Sequence, residues 1–383
     1  MSGKEYIMCY NEDSVVCETN MCNGCMACVN VCVKNAISIK DNINTYNSVI
    51  DKNKCVECNR CKKICPRNTE VECKKPILWK EGWAKDEEIR SRSSSGGFAT
   101  AIMKAFIVKK KGYVFSCVFE QGKFKFKIAE TPEECDKFTG SKYIKSNPGF
   151  IYRKILELLR DGYKVLFLGL PCQVAGLKNY IGKQYLNELY TIDLICHGTP
   201  SPILLNKYLM EDSNLSLETC SNISFRKKLD FNLYNGKNKI VPQGVQDRYT
   251  MAFLDSLDYT ENCYYCQYAK IQRISDISLG DSWASKFMSS NGNQGISLAL
   301  CQTKKGEDLL NIANLELFEV DIEKAILANK QLRHPSIAPK QRKNFFDNIN
   351  CKMKFKDAVF HAYPRLCMKQ DIKSIFIRLK ILR

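Results

Sequence analysis

Cysteines are the residues in this chain with the clearest chemistry. Two stretches within residues 22–65 each carry four cysteines in the order C-x2-C-x2-C-x3-C. The first contains Cys22, Cys25, Cys28 and Cys32, and the second contains Cys55, Cys58, Cys61 and Cys65. Thiolates at this spacing bind [4Fe-4S] clusters, with three cysteines of a run on one cluster and the fourth on the other. The pattern therefore predicts two such clusters and single-electron chemistry.

The crossing of the fourth ligand divides these eight cysteines into two groups. Group one is Cys22, Cys25, Cys28 and Cys65, and group two is Cys55, Cys58, Cys61 and Cys32. Zinc and disulfides are the alternatives. The spacing differs from that of zinc fingers, and disulfides suit secreted proteins, whereas no signal peptide is visible. Residues 22–39 and 55–72 align as an internal repeat, which predicts a pseudo-symmetric ferredoxin module with short strands near residues 36–39 and 49–51.

Four further cysteines form a second pattern. Residues 164–168 and 189–195 read as buried strands, and each is followed by a sharp turn that carries a cysteine, Cys172 or Cys196. Alpha/beta sheets place ligands at such C-terminal strand ends. With the pair Cys263 and Cys266 they predict a third four-cysteine site, group three, for another [4Fe-4S] cluster. A zinc site or buried thiols without ligands are the alternatives. The remaining cysteines read as core or surface thiols; they include Cys9, Cys17, Cys117, Cys135, Cys220, Cys301, Cys351 and Cys367.

A loop of serine and glycine is the candidate for binding a phosphate. Ser94, Ser95, Gly96 and Gly97 precede an apolar stretch with helical spacing. The free N–H groups and positive dipole end of a helix N-terminus suit an anion, although Ser and Gly also cap ordinary helices. The chain contains neither G-x-G-x-x-G nor G-x-x-x-x-G-K-[ST], so the sequence supports no Rossmann or P-loop site.

Several short segments between residues 80 and 300 occur together in a recognisable order. They are SSSGG at 93–97, GSKY at 140–143, PCQVAGL at 171–177, DLICHGTPS at 193–201, the Cys263 and Cys266 pair, and DISLGDSW at 276–283. In these segments the chain resembles the family of the beta subunit of coenzyme F420 hydrogenase and dehydrogenase. The resemblance implies FAD, further iron–sulfur chemistry and oxidation or reduction of a dissolved small-molecule substrate. It does not fix that substrate, because one fold hosts many functions.

The resemblance and the Ser/Gly loop together suggest residues for a flavin site. Ser94, Ser95, Gly96, Gly97 and Lys142 are the candidates for binding the cofactor. Lys142 would stabilise the negative charge of a reduced flavin, and the alternative is a surface lysine. His197 adjoins Cys196; it would donate a proton near the flavin or a hydrogen bond to a sulfur, and a structural histidine is the alternative.

Length and composition set outer limits on these readings. The 383 residues suffice for two or three domains, and no run of about eighteen apolar residues predicts a membrane span. Twenty-one cysteines without a visible secretion signal favour a reducing cytoplasm. The formal charge of +17 could attract nucleic acid, anionic lipid or an acidic protein, or reflect a solvated lysine-rich surface. No nucleic-acid motif is present, which favours an acidic electron carrier such as ferredoxin.

These observations predict an α+β ferredoxin-like N-terminal module followed by a larger α/β flavin-binding domain. We place the ferredoxin domain at residues 1–76, the FAD and iron–sulfur domain at 77–345 and a basic helical tail at 346–383. The predicted function is that of an iron–sulfur flavoprotein oxidoreductase, linked to ferredoxin or coenzyme F420. The alternatives are a non-catalytic electron-transfer subunit of a larger complex and a basic iron–sulfur protein that binds nucleic acid.

The end of the chain has an amphipathic pattern. Five apolar residues share one helical face: Ile372, Ile375, Phe376, Leu379 and Leu382. Four basic residues lie mostly off that face: Lys373, Arg378, Lys380 and Arg383. Such a helix can lie on an anionic membrane or dock on a partner. The alternative is a helix packed on its own domain.

Overall fold

The computed structural model describes residues 15–381, so the predictions for Cys9, Leu382 and Arg383 lie outside the described residues. The helices are α1 Ala27–Val31, α2 Arg60–Ile64, α3 Glu87–Arg92, α4 Phe98–Lys110, α5 Ile151–Arg160, α6 Pro171–Ile181, α7 Pro202–Ser213, α8 Arg248–Leu254, α9 Met288–Asn291, α10 Lys304–Ile312, α11 Ile322–Ala328, α12 Arg342–Asn350, α13 Phe355–Ala362 and α14 Pro364–Arg378. The strands are β1 Ile37–Asp41, β2 Tyr46–Ile50, β3 Leu78–Ala84, β4 Tyr113–Glu120, β5 Lys123–Ala129, β6 Val165–Gly169, β7 Leu189–Leu194, β8 Ile223–Ser224, β9 Tyr234–Asn235, β10 Asn238–Lys239, β11 Ile277–Asp281, β12 Ser297–Cys301 and β13 Leu315–Phe318.

The N-terminal module repeats its backbone as well as its cysteines. Gly24 and Glu57 occupy equivalent positions and have positive φ angles of 67° and 53°. Met26 and Asn59, which directly precede α1 and α2, have φ angles of 66° and 56°. Because left-handed backbone is uncommon outside glycine, its recurrence at three non-glycine positions indicates that the cysteine loop requires it. Between the two loops β1 and β2 pair antiparallel, close to the predicted strand positions.

One mixed sheet of eight strands organises the rest of the chain, as the α/β pattern predicts. Its strand order is β13-β3-β12-β11-β7-β6-β4-β5. The central strands β4, β6, β7 and β11 run parallel, and antiparallel strands complete both sides. Every residue of β6 and β12 is buried, because helices and loops cover both faces of the sheet there. The carboxyl ends of the parallel strands meet at one edge, and the loops that follow them carry the candidate residues.

The ferredoxin module packs directly against α5 and α6. Ala27 of α1 and Cys25 belong to the same buried apolar cluster as Val174 and Ala175 of α6. Gly176 makes the approach close, since a β-carbon at that position would lie 2.9 Å from the sulfur of Cys25. Glycine is therefore required there by contact between the two parts of the chain.

Two side chains of the larger domain cap the short helices of the module. Arg153 of α5 donates from Nε to the carbonyl oxygen of Asn30 at 2.9 Å and from a terminal nitrogen to that of Cys32 at 3.3 Å. Asn179 of α6 donates to the carbonyl oxygen of Ile64, the last residue of α2, at 3.1 Å. These donors satisfy carbonyls that a helix end leaves unpaired. Each half of the module is thus tied to the larger domain.

The C-terminal helices extend the larger domain. Helix α12 runs across residues 345 and 346, where the sequence analysis placed the start of the tail. Its Phe345 and Phe346 and the α13 residues Phe355 and Val359 share a buried cluster with Tyr208 of α7. Among the residues described, no helix is long and apolar enough to cross a membrane.

The arginine cap gives a prediction about the fold. Arg153→Met keeps the apolar stem but removes the donors to α1, so carbonyls at that helix end lose their partners. We expect a loss of about 1–3 kcal/mol of unfolding free energy, since hydrogen bonds from charged groups lie in that range. Thermal melting and the rate of protease cleavage in residues 66–77 would measure it. The matched control is Lys154→Met, an exposed neighbour on the same helix; equal behaviour of the two variants would contradict the capping role.

Candidate functional site

Group one lies in the buried interior of the ferredoxin module. Its four cysteines are all between 5 and 7% exposed. Burial raises the pKa of Cys25 and of Cys28 well above the usual value, and the negative charges of other members of the group, Cys65 among them, add to both shifts. The structure therefore brings together Cys22, Cys25, Cys28 and Cys65, the set that the crossed assignment predicts.

Group two lies at the surface. Cys58 is exposed, while Cys32, Cys55 and Cys61 are half-buried. Burial is the largest cause that raises the pKa of Cys61, and the nearby thiols of Cys32 and Cys55 contribute. Cys61 also contributes to the raised pKa of Cys28, so groups one and two adjoin. Exposed basic side chains surround the group-two loop: Lys52, Lys54, Arg60, Lys62 and Lys63.

Group three forms at the carboxyl edge of the sheet. Cys172 lies in the first turn of α6 after β6, and Cys196 follows β7. Both line one narrow cavity of about 30 Å³ together with Cys263 and Cys266. Burial raises the pKa of Cys172 to about 12, and the charges of Cys263 and Cys266 contribute. Four cysteines from three distant segments thus line one cavity, and their role as cluster ligands stays a prediction.

An ion pair beneath group three holds its segments in register. Arg273 donates to the carboxylate of Asp193 at 2.7 Å, and both side chains are almost fully buried. The same guanidinium donates to the carbonyl oxygens of Leu194 and Tyr268 at 2.8 and 2.7 Å. It therefore links the end of β7, which leads to Cys196, with the loop that follows Cys266.

The surroundings of the cysteines suit thiolates that bind iron. Backbone N–H groups donate to sulfur at equivalent positions of the repeat, from Gly24 to Cys22 and from Glu57 to Cys55, both at 3.4 Å. No cysteine within residues 15–381 forms a disulfide. Over the same residues, no group of three or more His, Cys, Asp or Glu side chains is positioned to hold a metal ion. A [4Fe-4S] cluster is held by four cysteine thiolates on four separate irons, and each of the three groups supplies four cysteines.

Cys17 adds a fifth buried thiol beside group one. Hydrogen bonding to Cys17 is the largest cause that lowers the pKa of Cys65, to about 7, and it lowers that of Cys22 as well. No spacing in the sequence marks Cys17, and the sequence analysis read it as a plain thiol. Cys17 is not one of the four predicted ligands of group one, but it lies next to two of them, Cys22 and Cys65.

A small polar junction connects group one with group three. The amide of Asn262 donates to the side-chain oxygen of Asn23 at 3.2 Å, and these residues directly adjoin Cys263 and Cys22. Lys145 is 5% exposed, and its ammonium lies 3.4 Å from the side-chain oxygen of Asn262. Its positive charge contributes to lowering the pKa of Cys22 and opposes the burial that raises the pKa of Cys172. One buried cation therefore acts on both groups.

The Ser/Gly loop lies in a second polar region, together with Ser141 and Lys228. The hydroxyl oxygen of Ser94 accepts from the backbone N–H of Ser141 at 2.8 Å, which joins the two predicted motifs. Lys228 donates to the carbonyl oxygen of Ser95 at 3.1 Å. Loss of water around its ammonium, with Arg90 and Arg226 adding repulsion, lowers the pKa of Lys228 to about 8.

This region has donors and space for an anionic cofactor. Arg90 is nine-tenths buried, and its Nε has no hydrogen-bond partner. A β-carbon at Gly140, next to Ser141, would meet nothing within 4 Å. Arg226 forms a two-pronged pair with the carboxylate of Asp281 at 2.7 and 2.9 Å. The pair with Asp281 leaves Arg90 and Lys228 as the uncompensated cations beside this loop, and their charges fit a ligand with phosphate groups.

Two family models match most of the larger domain of this chain. Residues 80–149 match the family model for the coenzyme F420 hydrogenase/dehydrogenase beta subunit N-term, and residues 162–324 match that for its C terminus. The chain belongs to the coenzyme F420 hydrogenase/dehydrogenase beta subunit family. Residues 21–69 match a 4Fe-4S dicluster domain, so this family member is an iron–sulfur electron-transfer protein related to subunits of oxidoreductases.

Solved structures were compared as well. One similar chain comes from a study entitled "Xenon derivatization of the F420-reducing [NiFe] hydrogenase complex from Methanosarcina barkeri". The alignment has 20% identity and a TM-score of 0.48, and it covers 73% of this chain and 94% of that one. A search of curated proteins found no match.

Lys142 and His197, the other two residues singled out for the family, occupy different settings. The ammonium of Lys142 donates to three carbonyl oxygens of its own loop, those of Phe138, Thr139 and Gly140, at 2.8, 3.3 and 3.0 Å. Burial lowers the pKa of Lys142. His197 lines the group-three cavity and is open to solvent, while loss of bulk water around the ring lowers the pKa of its imidazole. Their predicted roles stay predictions.

Sequence reasoning missed the residues that connect the groups. Lys145, Arg226 and Lys228 belong to no metal or phosphate motif, and Asn23 and Asn262 carry no chemical signal of their own. The one available hint was position, because Asn23 and Asn262 directly adjoin proposed ligands.

The three cysteine groups give a prediction about metal content. Three [4Fe-4S] clusters require about twelve irons per chain. Cys263→Ser should reduce this to about eight, because a hydroxyl ligates iron poorly, while signals from the N-terminal clusters persist. Iron analysis and electron paramagnetic resonance of anaerobically purified protein would measure both. The control is Cys220→Ser, which changes a buried cysteine outside all three groups. A measured content of about eight irons in the unmodified protein would contradict the third cluster.

Proposed function

We propose that this chain is an iron–sulfur flavoprotein oxidoreductase that moves electrons between an acidic ferredoxin-type carrier and a small dissolved substrate. The main support is spatial. Group two at the surface adjoins buried group one, group one meets group three across the Asn23–Asn262 contact, and group three shares its cavity with His197. When bound, [4Fe-4S] clusters carry single electrons and FAD handles one or two.

The surface around group two suits an acidic carrier. Cys58 and the 60% exposed side chain of Val56 lie among the basic residues of that loop. Positive charge around an exposed redox site steers an acidic partner to it and raises the association rate. We therefore assign the contact with a ferredoxin-type donor to group two and place the protein in the cytoplasm, where such carriers act.

Two buried tyrosines lie near both group one and group three. Tyr152 is fully buried, and its pKa is raised by burial first and then by the charges of Cys25 and Cys172, which belong to different groups. The pKa of Tyr268 is raised in the same way, by burial first and then by the charges of Cys172 and Cys25. Each buried ring therefore lies near cysteines of both groups.

The loop of Ser94, Ser95, Gly96 and Gly97 is the proposed FAD site. Arg90 and Lys228 would neutralise the two phosphates, and the free Nε of Arg90 is a donor that such an anion satisfies. Lys142 is proposed to stabilise the negative charge of the reduced flavin ring, through its own positive charge and by orienting the loop carbonyls to which it donates. His197 is proposed to hold a proton between the ring and group three. The substrate is coenzyme F420-like or another small molecule.

A second candidate function is electron relay without catalysis inside a larger complex. The two matched models describe a beta subunit, which favours partner proteins. Clusters without flavin in purified protein would support that candidate over an enzyme.

Lys228 gives a prediction about pH. Its ammonium is charged below about pH 8 and neutral above it, so the affinity of flavin-free protein for FAD should fall as pH rises through that value. Lys228→Met should weaken binding by about tenfold at pH ~7 and remove most of this dependence. Quenching of FAD fluorescence in a titration would measure it.

The control for this experiment is Lys227→Met, an exposed neighbour. It should retain both the affinity and the pH dependence. Affinity of unmodified protein that stays constant from about pH 7 to about pH 9 would contradict the role of Lys228 as a phosphate ligand.

Lys145 gives a prediction about reduction potentials. A buried positive charge stabilises an added electron nearby, so Lys145→Met should lower the potentials of the two clusters held by groups one and three. The expected shift is about 60 mV each, equivalent to a tenfold change for one electron. Potentiometric titration followed by electron paramagnetic resonance would resolve it. Lys123→Met, an exposed lysine, should leave all potentials in place; a shift confined to group two would refute the proposed position of the charge.

A further inference from the structure

Helix α14 is fixed to its domain by a narrow inner face. Cys367 is fully buried, and Gln370 accepts a hydrogen bond from the backbone N–H of Gln246 at 3.1 Å. Arg248 of α8 pairs with Asp371 at 2.5 Å. Ser374 and Ile377 continue this face at helical spacing and are half-buried. The helix is therefore held in place before it meets any partner.

The opposite face of the same helix is apolar and points to solvent. Five side chains on it are between 40 and 63% exposed: Met368, Ile372, Ile375, Phe376 and Leu379. Their spacing of three to four residues places them in one stripe along the helix. We call this set the outer stripe. Contiguous exposed apolar surface of this kind marks an interaction site more often than scattered single residues do.

Basic residues border the outer stripe along one edge. Arg365, Lys369 and Lys373 lie next to it at helical spacing, and Lys380 follows the end of the helix. Asp371 is the single acidic residue between positions 364 and 381, and Arg248 already pairs with it. The edge therefore carries net positive charge beside an apolar stripe.

We propose that the outer stripe of α14 lies on an anionic lipid surface, with the basic edge at the level of the headgroups. A folded helix that exposes an apolar stripe with Arg and Lys beside it can bind an anionic interface, because the stripe buries apolar area and the basic edge attracts the headgroups. A second copy of the chain fits less well, because two basic edges on molecules of charge +17 would repel each other. Since α14 is already folded on its domain, binding requires little further ordering.

The structure also decides how the surface must be tested. Deleting residues beyond Gln370 would remove the inner contacts of Asp371 and Ile377 together with the stripe, so loss of folding would mask the result. Ile375→Gln with Phe376→Gln changes the stripe alone. The matched control is Leu327→Gln with Ile337→Gln, two exposed apolar residues elsewhere on the protein. None of these substitutions changes the net charge.

The experiment is sedimentation of full-length, cluster-loaded protein with vesicles of phosphatidylcholine, with or without phosphatidylglycerol, at low and high salt. Unmodified protein and the Leu327/Ile337 control should bind the anionic vesicles at low salt, and the Ile375/Phe376 variant about tenfold more weakly. Unchanged iron content would show that the variant is folded. Equal binding by both double variants would overturn the proposal. The proposal would also be overturned if the unmodified protein formed a concentration-dependent dimer, or captured an acidic protein, and the Ile375/Phe376 variant lost that interaction while it still bound vesicles.

Discussion

The structure depends on the close approach of the ferredoxin module to α6. Electron transfer between sites requires short distances, and here Cys25 reaches the backbone of Gly176 with no side chain between them. Arg153 and Asn179 fix the approach from two directions, because each donates to the carbonyl end of one module helix. The caps act on the halves of the repeat separately, so neither half can rotate away from the sheet without losing its own hydrogen bonds.

Burial of charge follows from that approach. Bringing two thiolate groups together in a region with little water concentrates negative charge, and an isolated buried ion is expensive. Lys145 offsets part of this charge, and its position between Asn262 and the ring of Tyr46 keeps it hydrogen-bonded and in contact with an aromatic face, with 4.9 Å from the ammonium to the ring centre. The cation is thus a structural requirement of the junction as well as a factor in its electrostatics.

Local patterns were readable from the sequence, and contacts between distant segments were not. Cysteine spacing predicts the two N-terminal groups, and buried strands followed by sharp turns place Cys172 and Cys196 at one edge of the sheet. The hydrogen bond between Asn23 and Asn262 joins residues 239 positions apart, and no periodicity signals such a pair. Arg226 and Lys228 likewise lie in a stretch of two-residue strands with weak patterning. Their meeting with the Ser/Gly loop results from the packing of the whole domain.

The duplicated loop of the N-terminal module illustrates how direction can arise from symmetry. Gly24 and Glu57, and likewise Met26 and Asn59, repeat one backbone shape at equivalent positions. Yet the cysteines of one group are sealed in the interior, whereas Cys58 of the other is open to water. The difference comes from the neighbouring domain, which contacts both halves of the module but leaves the loop that carries Cys58 exposed. A directional electron path can therefore arise from a duplicated cluster-binding loop when a neighbouring domain buries one cluster and leaves the other exposed, without a change in any ligand.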